Sequence, residues 1–259
     1  MSLAIVLSVL ASLPLGSSAA KPQVSLRSAL RVDGVDVVAV ESSARPLPQA
    51  ELAKIAADPK LLAALNEKHL TRVATLESTT PIAIGSAFLG AGSHAIALVV
   101  SERGLTMQFG ADGESVTFGD ERRHDGYVAR PSFSIVNSLD GSTYAITVAF
   151  AHWSGSLPIR VGNEVVADMN NVAFDLLVKK DATTAHARSA LRLARIASEA
   201  TELREPRVLD TFALALFKNG HVDDAIKVQK RVLELLPTQD ALRADAQKRL
   251  TLFENQKRG

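Results

Sequence analysis

The middle of the chain, from Thr71 to about Arg160, consists of short apolar runs separated by glycine or charged turn residues. In the run Tyr144–Trp153, large apolar residues alternate with three alanines and a threonine. A two-residue period places successive side chains on opposite faces of a strand, so the larger set is expected to face a core. Many short strands at regular spacing indicate an antiparallel β-sandwich or barrel. The predicted strands are Arg72–Glu77, Pro81–Ile84, Ala95–Ser101, Leu105–Phe109, Ser115–Phe118, Tyr127–Val136, Tyr144–Trp153 and Leu157–Val161.

The segment before this region combines two patterns. Residues Gln23–Val40 alternate loosely around the hairpin signal Asp33-Gly34, which predicts two short strands. After a proline-containing break, Gln49–Lys68 has helical spacing. We therefore treat residues 21–70 as an N-terminal segment of strands and short helices.

Beyond Val161 the apolar period changes to about 3.6 residues, which indicates helices. Val166, Met169, Ala173 and Leu177 fit one helical face, although the end of this stretch also fits a strand. Asp181 is placed to cap the next helix, whose expected inner face is rich in alanine. Three further helices are predicted at Arg207–Lys218, Val222–Leu236 and Gln239–Asn255.

The N-terminal residues 1–20 carry no charged side chain and join an apolar run to a tail of small residues. This pattern is typical of a secretory signal cleaved before Lys21. The apolar run is shorter than the roughly 20 residues that a membrane span needs, and no later segment meets that length. We therefore expect an exported protein, periplasmic or secreted, without a membrane span after cleavage.

The composition of the chain excludes several classes of binding site and catalytic residue. The chain has a formal net charge of +1 and no cysteine. The weak charge gives no basis for nucleic-acid binding, and the absence of cysteine excludes disulfides, thiolate metal sites and cysteine nucleophiles. We predict no cofactor.

Histidines and serines of the sheet region are the remaining candidates for catalysis. His69, His94, His124 and His152 lie near carboxylates in the sequence, but their spacing matches no recognised metal motif. The serine-containing turns lack the elbow, base and oxyanion context of a serine hydrolase. We therefore predict no metal site and no catalytic residue. The alternative is a hydrolase or carbohydrate-active sandwich enzyme that uses histidine and carboxylate side chains.

The stretch Leu209–Pro237 resembles a tetratricopeptide repeat. The residues that carry the resemblance are Leu209, Phe212, Ala213, Leu216, Asn219, Gly220, Ala225 and Pro237. The sequence departs from the repeat at Ala213, where glycine is common, and at Gln229, where an aromatic is common. Ala187–Leu203 looks like the second helix of an eroded preceding repeat, and Gln239–Asn255 like a capping helix. Because solenoids usually need about three repeats, this short tail is expected to dock on the sandwich or on a second subunit.

The region Thr71–Val161 resembles a bacterial family of exported β-sandwich domains of unknown function. The resemblance rests on the turn motif formed by Leu89, Ala91, Gly92, His94 and Ile96, and on Trp153 followed by Pro158-Ile159. Histidine replaces the aromatic residue of the turn motif, and the family's arginine-rich N-terminal segment is not visible. The family implies no activity that would transfer to this chain.

Together these patterns predict an α+β multidomain protein, in which an antiparallel β-sandwich is followed by a tetratricopeptide-like helical hairpin with a capping helix. The predicted boundaries are a signal peptide at 1–20, the N-terminal segment at 21–70, the sandwich at 71–165 and the helical tail at 166–259.

The predicted function is an exported, non-catalytic binding or scaffolding protein that acts through protein partners or self-association. The resemblance to the repeat implies a concave partner-binding surface. Its residues are Arg207, Asp210, Leu214, Phe217 and Lys218. For the apolar pair Leu214 and Phe217, packing on the sandwich is the alternative to partner binding.

Overall fold

The computed structural model describes residues 26–32, 34–43, 70–101, 104–110, 114–118, 123–137 and 143–258, without the side chains of 123–130 and 151–152. The predicted signal peptide and the helical stretch Gln49–Lys68 lie outside the described residues. The chain forms two compact units, Met1–Arg160 and Val161–Gly259, which we call the sheet unit and the helical unit.

The sheet unit contains two antiparallel sheets. Its described strands are β1 Leu26–Val32, β2 Val35–Ser42, β3 Ala74–Ser78, β4 Ile82–Ile84, β5 Ala87–Leu89, β6 Gly92–Ser101, β7 Gly104–Phe109, β8 Glu114–Phe118, β9 Arg123–Asn137 and β10 Tyr144–Val161. The larger sheet has the order β1-β2-β3-β6-β7-β8, and the smaller has the order β5-β4-β10-β9. The predicted strand region is therefore confirmed. β5 was not predicted, and the two last predicted strands form one continuous strand, β10.

The predicted alternation places one face of each sheet in a core. In β10, Ile146, Val148 and Phe150 are all 0% exposed, which confirms that the larger set faces inward. Across the large sheet, Ile96 pairs with Phe109 and is likewise buried. Burial of such side chains stabilises a fold by about 1.5–3 kcal/mol each.

The two sheets contact one another through β9 and β10 of the smaller sheet. The hydroxyl of Ser42 in β2 donates to the carbonyl oxygen of Pro131 at 3.2 Å, and the backbone N–H of Ile135 donates to the hydroxyl of Ser28 in β1 at 2.9 Å. Gly155 in β10 lies against Phe118 in β8, so closely that a Cβ at this glycine would sit 2.4 Å from the Phe118 ring. This packing is what two layers of a β-sandwich require.

The helical unit contains five described helices, α1 Asn163–Val178, α2 Thr184–Ala200, α3 Pro206–Lys218, α4 Val222–Leu235 and α5 Leu242–Arg258. The predicted helical period is therefore confirmed, and the stretch that also fitted a strand is helical. Each helix packs against the next one along the chain, and α3 also contacts α1 and α5. Alanines let these helices approach closely: Ala190, Ala213 and Ala225 are each 0% exposed. None of the described helices has the length and apolar character that a membrane crossing requires.

The predicted cap of α2 is wrong by two residues. Asp181 is exposed and forms a long ion pair with Lys179 at 3.9 Å. The N-cap is Thr183, whose hydroxyl accepts from the backbone N–H of His186 at 3.2 Å, while the Thr183 N–H donates to Nδ1 of His186 at 3.1 Å. Threonine and aspartate are both good N-caps, so composition alone did not distinguish the two positions.

Candidate functional site

The partner-binding residues predicted from the sequence all lie on α3 or, in the case of Lys218, at its end. Pro206 occupies the first turn, where its missing N–H costs no helical hydrogen bond, and the side chain of Glu205 caps the helix. At the other end Gly220 adopts a φ of 83°, which suits the turn predicted at Asn219-Gly220. The amide of Asn219 donates to the carbonyl oxygen of Ala187 in α2 at 2.8 Å and so ties this turn to the preceding helix.

The carboxylate of Asp210 contacts other side chains of the helical unit and does not lie on an open partner-binding surface. Its carboxylate forms an ion pair with Arg249 of α5 and accepts from the amide of Gln229 in α4 at 2.9 Å. The Gln229 side chain is 0% exposed, and its amide nitrogen also donates to the carbonyl oxygen of Ala246 at 3.2 Å. Burial lowers the pKa of the Arg249 guanidinium. We call Asp210, Gln229 and Arg249 the polar cluster, which joins three helices.

The apolar members of the predicted surface are also occupied. Leu214 is 9% exposed. The ring of Phe217 stacks on Phe253 of α5, with 4.4 Å between the ring centroids and 22° between the ring planes. Because Phe253 is 0% exposed, this pair is part of the core that holds α5 in place. The predicted alternatives for Phe217 did not include this contact within the helical unit.

Arg207 and Lys218 are the exposed members of the predicted set. They lie at opposite ends of α3, eleven residues apart by number (218 − 207 = 11), so about 16 Å of helix separates them. Neither has a carboxylate partner within the part of the chain that the structure describes. Their charges remain available to a partner.

A second basic feature lies on α2 and was missed in the sequence analysis. Arg188, Arg192 and Arg195 recur at intervals of four and three residues, which places them on one side of the helix. Arg188 and Arg195 are exposed, and Arg192 is half-buried. We call these three residues the arginine face. The i, i+4, i+7 spacing of the arginines is the signal in the sequence that indicates this face.

The sheet unit carries a groove of about 440 Å³ on the outer face of β1, β2, β3 and β6. Asp36 is held there by Arg31 and Arg27, with 2.9 Å between an Arg27 nitrogen and the Asp36 carboxylate. Hydrogen bonding to Arg31, more than that to Arg27, holds the pKa of the Asp36 carboxyl below its ordinary value. The groove also exposes the carboxylate of Glu77 and the hydroxyl of Ser93.

Of the histidines proposed for the enzymatic alternative, His94 is the one whose side chain the structure describes. His94 is half-buried, and its Nε2 lies 2.9 Å from the carbonyl oxygen of Gly90. His69 and the side chains of His124 and His152 lie outside the described residues. Within the described ranges, no group of three histidine, aspartate or glutamate residues has metal-binding geometry.

Comparison with protein-family models, with curated proteins and with solved structures found no match to this chain.

Proposed function

We propose that this chain is an exported binding or scaffolding protein whose helical unit makes contact with another protein. The observation that carries the proposal is the stacking of α1 to α5 in chain order, with α3 in contact with both α1 and α5. Helical-hairpin repeats stack in this way, and their continuous surfaces serve as sites for partner proteins.

The finer proposal is that α3 and α4 form a tetratricopeptide-like repeat and that α5 is its cap. The positions that carry the resemblance support this assignment, because Leu209, Ala213 and Ala225 are buried by 99% or more. Val232, Leu236 and Ala246 continue the same core into α5. The opposite face of α5 is polar, with exposed residues such as Gln247, Lys248 and Asn255, as a terminal cap requires.

Partner contact is assigned to the exposed part of the predicted surface. The engagement of Asp210 and Phe217 with α5 leaves Arg207 and Lys218 as the groups that a partner would meet. Both are cations on long, flexible stems, so they favour a partner surface that bears carboxylates. Self-association is the second form of the same proposal, because another copy of the chain also carries exposed carboxylates.

Site-specific photo-crosslinking tests this proposal in the full-length protein. A photoreactive amino acid replaces Arg207 or Lys218 in turn, and the matched control places it at Ser115, an exposed residue of β8. We expect irradiation to give a discrete crosslinked species from the two α3 positions. Excess unmodified full-length protein should compete with it, and mass spectrometry identifies it as a partner or as a second copy.

Equal crosslinking from Ser115, or none from either α3 position, would contradict the assignment to the helical unit. Export is tested separately by sequencing the N-terminus of the protein recovered from the periplasmic or culture fraction. We expect it to begin at Lys21. A mature protein that begins at Met1 or Ser2 would refute the signal peptide.

A further inference from the structure

The groove on the outer face of the larger sheet has a floor of small residues. Ala39 on β2 lies opposite Ala29 on β1 and opposite Glu77 on β3, so these three side chains share one face of the sheet. At Gly92 on β6, an added Cβ would meet no other atom within 4 Å. Small residues between long charged ones leave the groove its volume of about 440 Å³. This volume is within the range of pockets that hold small molecules.

One wall of the groove carries a net positive charge. The Asp36 carboxylate accepts from both Arg31 and Arg27, so two guanidinium groups and one carboxylate leave a formal charge of +1. Only Nη2 of Arg27 makes this contact, and the Arg27 side chain is 45% exposed. Among the described residues, Nε and Nη1 of Arg27 form no hydrogen bond. This wall can therefore donate further charge-assisted hydrogen bonds.

The opposite wall carries a negative charge. Glu77 on β3 is exposed, and its carboxylate has no ion-pair or hydrogen-bond partner within the described ranges. Ser93 on β6 lies directly opposite Glu77, so its exposed hydroxyl is on the same face beside that carboxylate. Because β2 separates β1 from β3, the backbones that carry Arg27 and Glu77 are two strand spacings apart, about 9.6 Å. The two side chains therefore line one groove without pairing with each other.

We propose that this groove binds a small zwitterion, such as a free amino acid. The carboxylate of the ligand meets the guanidinium of Arg27, whose planar fork matches a carboxylate geometrically, and the ammonium group of the ligand meets the carboxylate of Glu77. The hydroxyl of Ser93 accepts a further hydrogen bond from the ammonium group. The site belongs to the sheet unit, so it is independent of the contacts proposed for the helical unit.

Ligands with a single charge or none match the groove less well. A carboxylate without an amine would be repelled by Glu77, and an amine without a carboxylate would be repelled by the net charge around Arg27 and Arg31, since like charges placed together weaken binding. A sugar ring packs its apolar face on an aromatic side chain, and no residue lining the groove in the described part of the chain is aromatic. The arrangement of charges thus favours a ligand that carries both signs.

Isothermal titration calorimetry on the full-length protein tests the proposal. The zwitterionic probes are glycine and the longer 4-aminobutanoate, and the matched probes with one charge are butanoate and butylammonium. The variants are Glu77→Gln and Arg27→Gln, which remove one wall charge each. The controls are Glu114→Gln on β8 and Arg72→Gln before β3, which remove the same charges outside the groove lining.

We expect the wild-type protein to bind at least one zwitterion more tightly than it binds butanoate or butylammonium. Each groove variant should lose about fivefold in affinity for that zwitterion, because one charge-assisted contact in a partly solvated site disappears. The two controls should change affinity by less than about twofold, because they alter only the distant field. Absence of binding of both zwitterions to the wild-type protein, or equal losses in the groove variants and the controls, would overturn the proposal.

A charge reversal at Glu77 separates a specific site from general loss of structure. Glu77→Lys makes both walls of the groove positive, so this variant should bind butanoate more tightly than either zwitterion. Because Glu77 is exposed, the substitution should leave the circular dichroism spectrum and the urea midpoint unchanged. A folded Glu77→Lys protein that still prefers a zwitterion would show that Glu77 does not contact the ammonium group, and it would also overturn the proposal.

Discussion

The sheet unit and the helical unit place polar groups in their cores in different ways. Among the residues that the structure describes in the sheet unit, the buried polar side chains are the small hydroxyls of Ser42 and Ser78, and both donate to backbone carbonyl oxygens. In the helical unit a complete amide, Gln229, is buried beside the ion pair of Asp210 and Arg249. The core of the sheet unit therefore depends mainly on the close packing of apolar side chains. The core of the helical unit contains a polar network as well.

The difference follows from the two kinds of element. A strand sends alternate side chains into the core, and close approaches such as that of Gly155 to Phe118 leave space for apolar groups and small hydroxyls. Helices in a stack send long side chains from three elements toward one point, where the carboxylate of Asp210 meets the Arg249 guanidinium and the Gln229 amide nitrogen, while Oε1 of Gln229 has no hydrogen-bond partner among the described residues. Such a network restricts how α5 docks, because a shift along its axis would separate Arg249 from Asp210.

Removing the apolar anchor of α5 is expected to have the largest effect. Phe253→Ala deletes a side chain that is 0% exposed and stacked on Phe217. The expected loss in free energy of unfolding is about 3–5 kcal/mol, from lost burial and the cavity left behind. Urea unfolding followed by circular dichroism at 222 nm measures it. Leu252→Ala, at a neighbouring side chain that is 54% exposed, is the control. Similar losses in the two variants would show that packing on α3 does not hold α5.

The corresponding test of the sheet unit adds volume rather than removing it. In Gly155→Ala the new methyl group would lie 2.4 Å from the ring of Phe118, so the ring or strand must move. Overpacking of this kind costs about 1–3 kcal/mol. The fluorescence of Trp153, the single tryptophan, reports unfolding of β10.

The second substitution Phe118→Leu is designed to relieve the clash in Gly155→Ala. Because it trims the ring that the methyl group meets, the double variant should lose less stability than the sum of the two single variants. Additive losses, or an unchanged unfolding midpoint in Gly155→Ala, would contradict the conclusion that close packing of Gly155 against Phe118 stabilises the sheet core.

Periodicity predicted the elements of both units but not their contacts. Two-residue alternation identified the buried set in β10, and the helical period located α3 and α4 to within one residue at each end. These patterns are local, so a single sequence reveals them. The Gly155–Phe118 approach and the Asp210–Arg249 pair depend on how distant elements align, which periodicity does not specify.

The same dependence on contacts between distant elements explains why Asp210 and Phe217 were predicted to lie on a partner-binding surface. The resemblance placed Asp210 and Phe217 on an open face, because it assigned positions within one repeat and not the contacts made by the following helix. Arg249 and Phe253 occupy that space in the structure. The arginine face, in contrast, is a local pattern on α2, and spacing alone would have predicted it.

The polar cluster gives an intermediate effect. Asp210→Asn leaves the Arg249 guanidinium, whose side chain is 27% exposed, without its carboxylate. Loss of such a partner costs about 1–3 kcal/mol, because a partly buried charge then lacks compensation. Arg249→Gln in the same chain should restore part of the loss, and a double-mutant cycle measures this coupling. Zero coupling would mean that the ion pair does not help to position α5.

The smallest effect is expected at Asp36 on the outer face of the sheet unit. Arg31 and Arg27 lower the pKa of this carboxyl from its ordinary value of 3.8, so its contribution to stability is present above that value and is lost as pH falls through the folded-state pKa. Because the pair is largely solvated, Asp36→Asn should cost less than about 1 kcal/mol at neutral pH. Glu77→Gln, which alters a neighbouring carboxylate without an ion-pair partner among the described residues, is the control. The difference in free energy of unfolding between wild type and Asp36→Asn should disappear in acid. A difference that grows in acid would contradict a lowered pKa of Asp36 in the folded state.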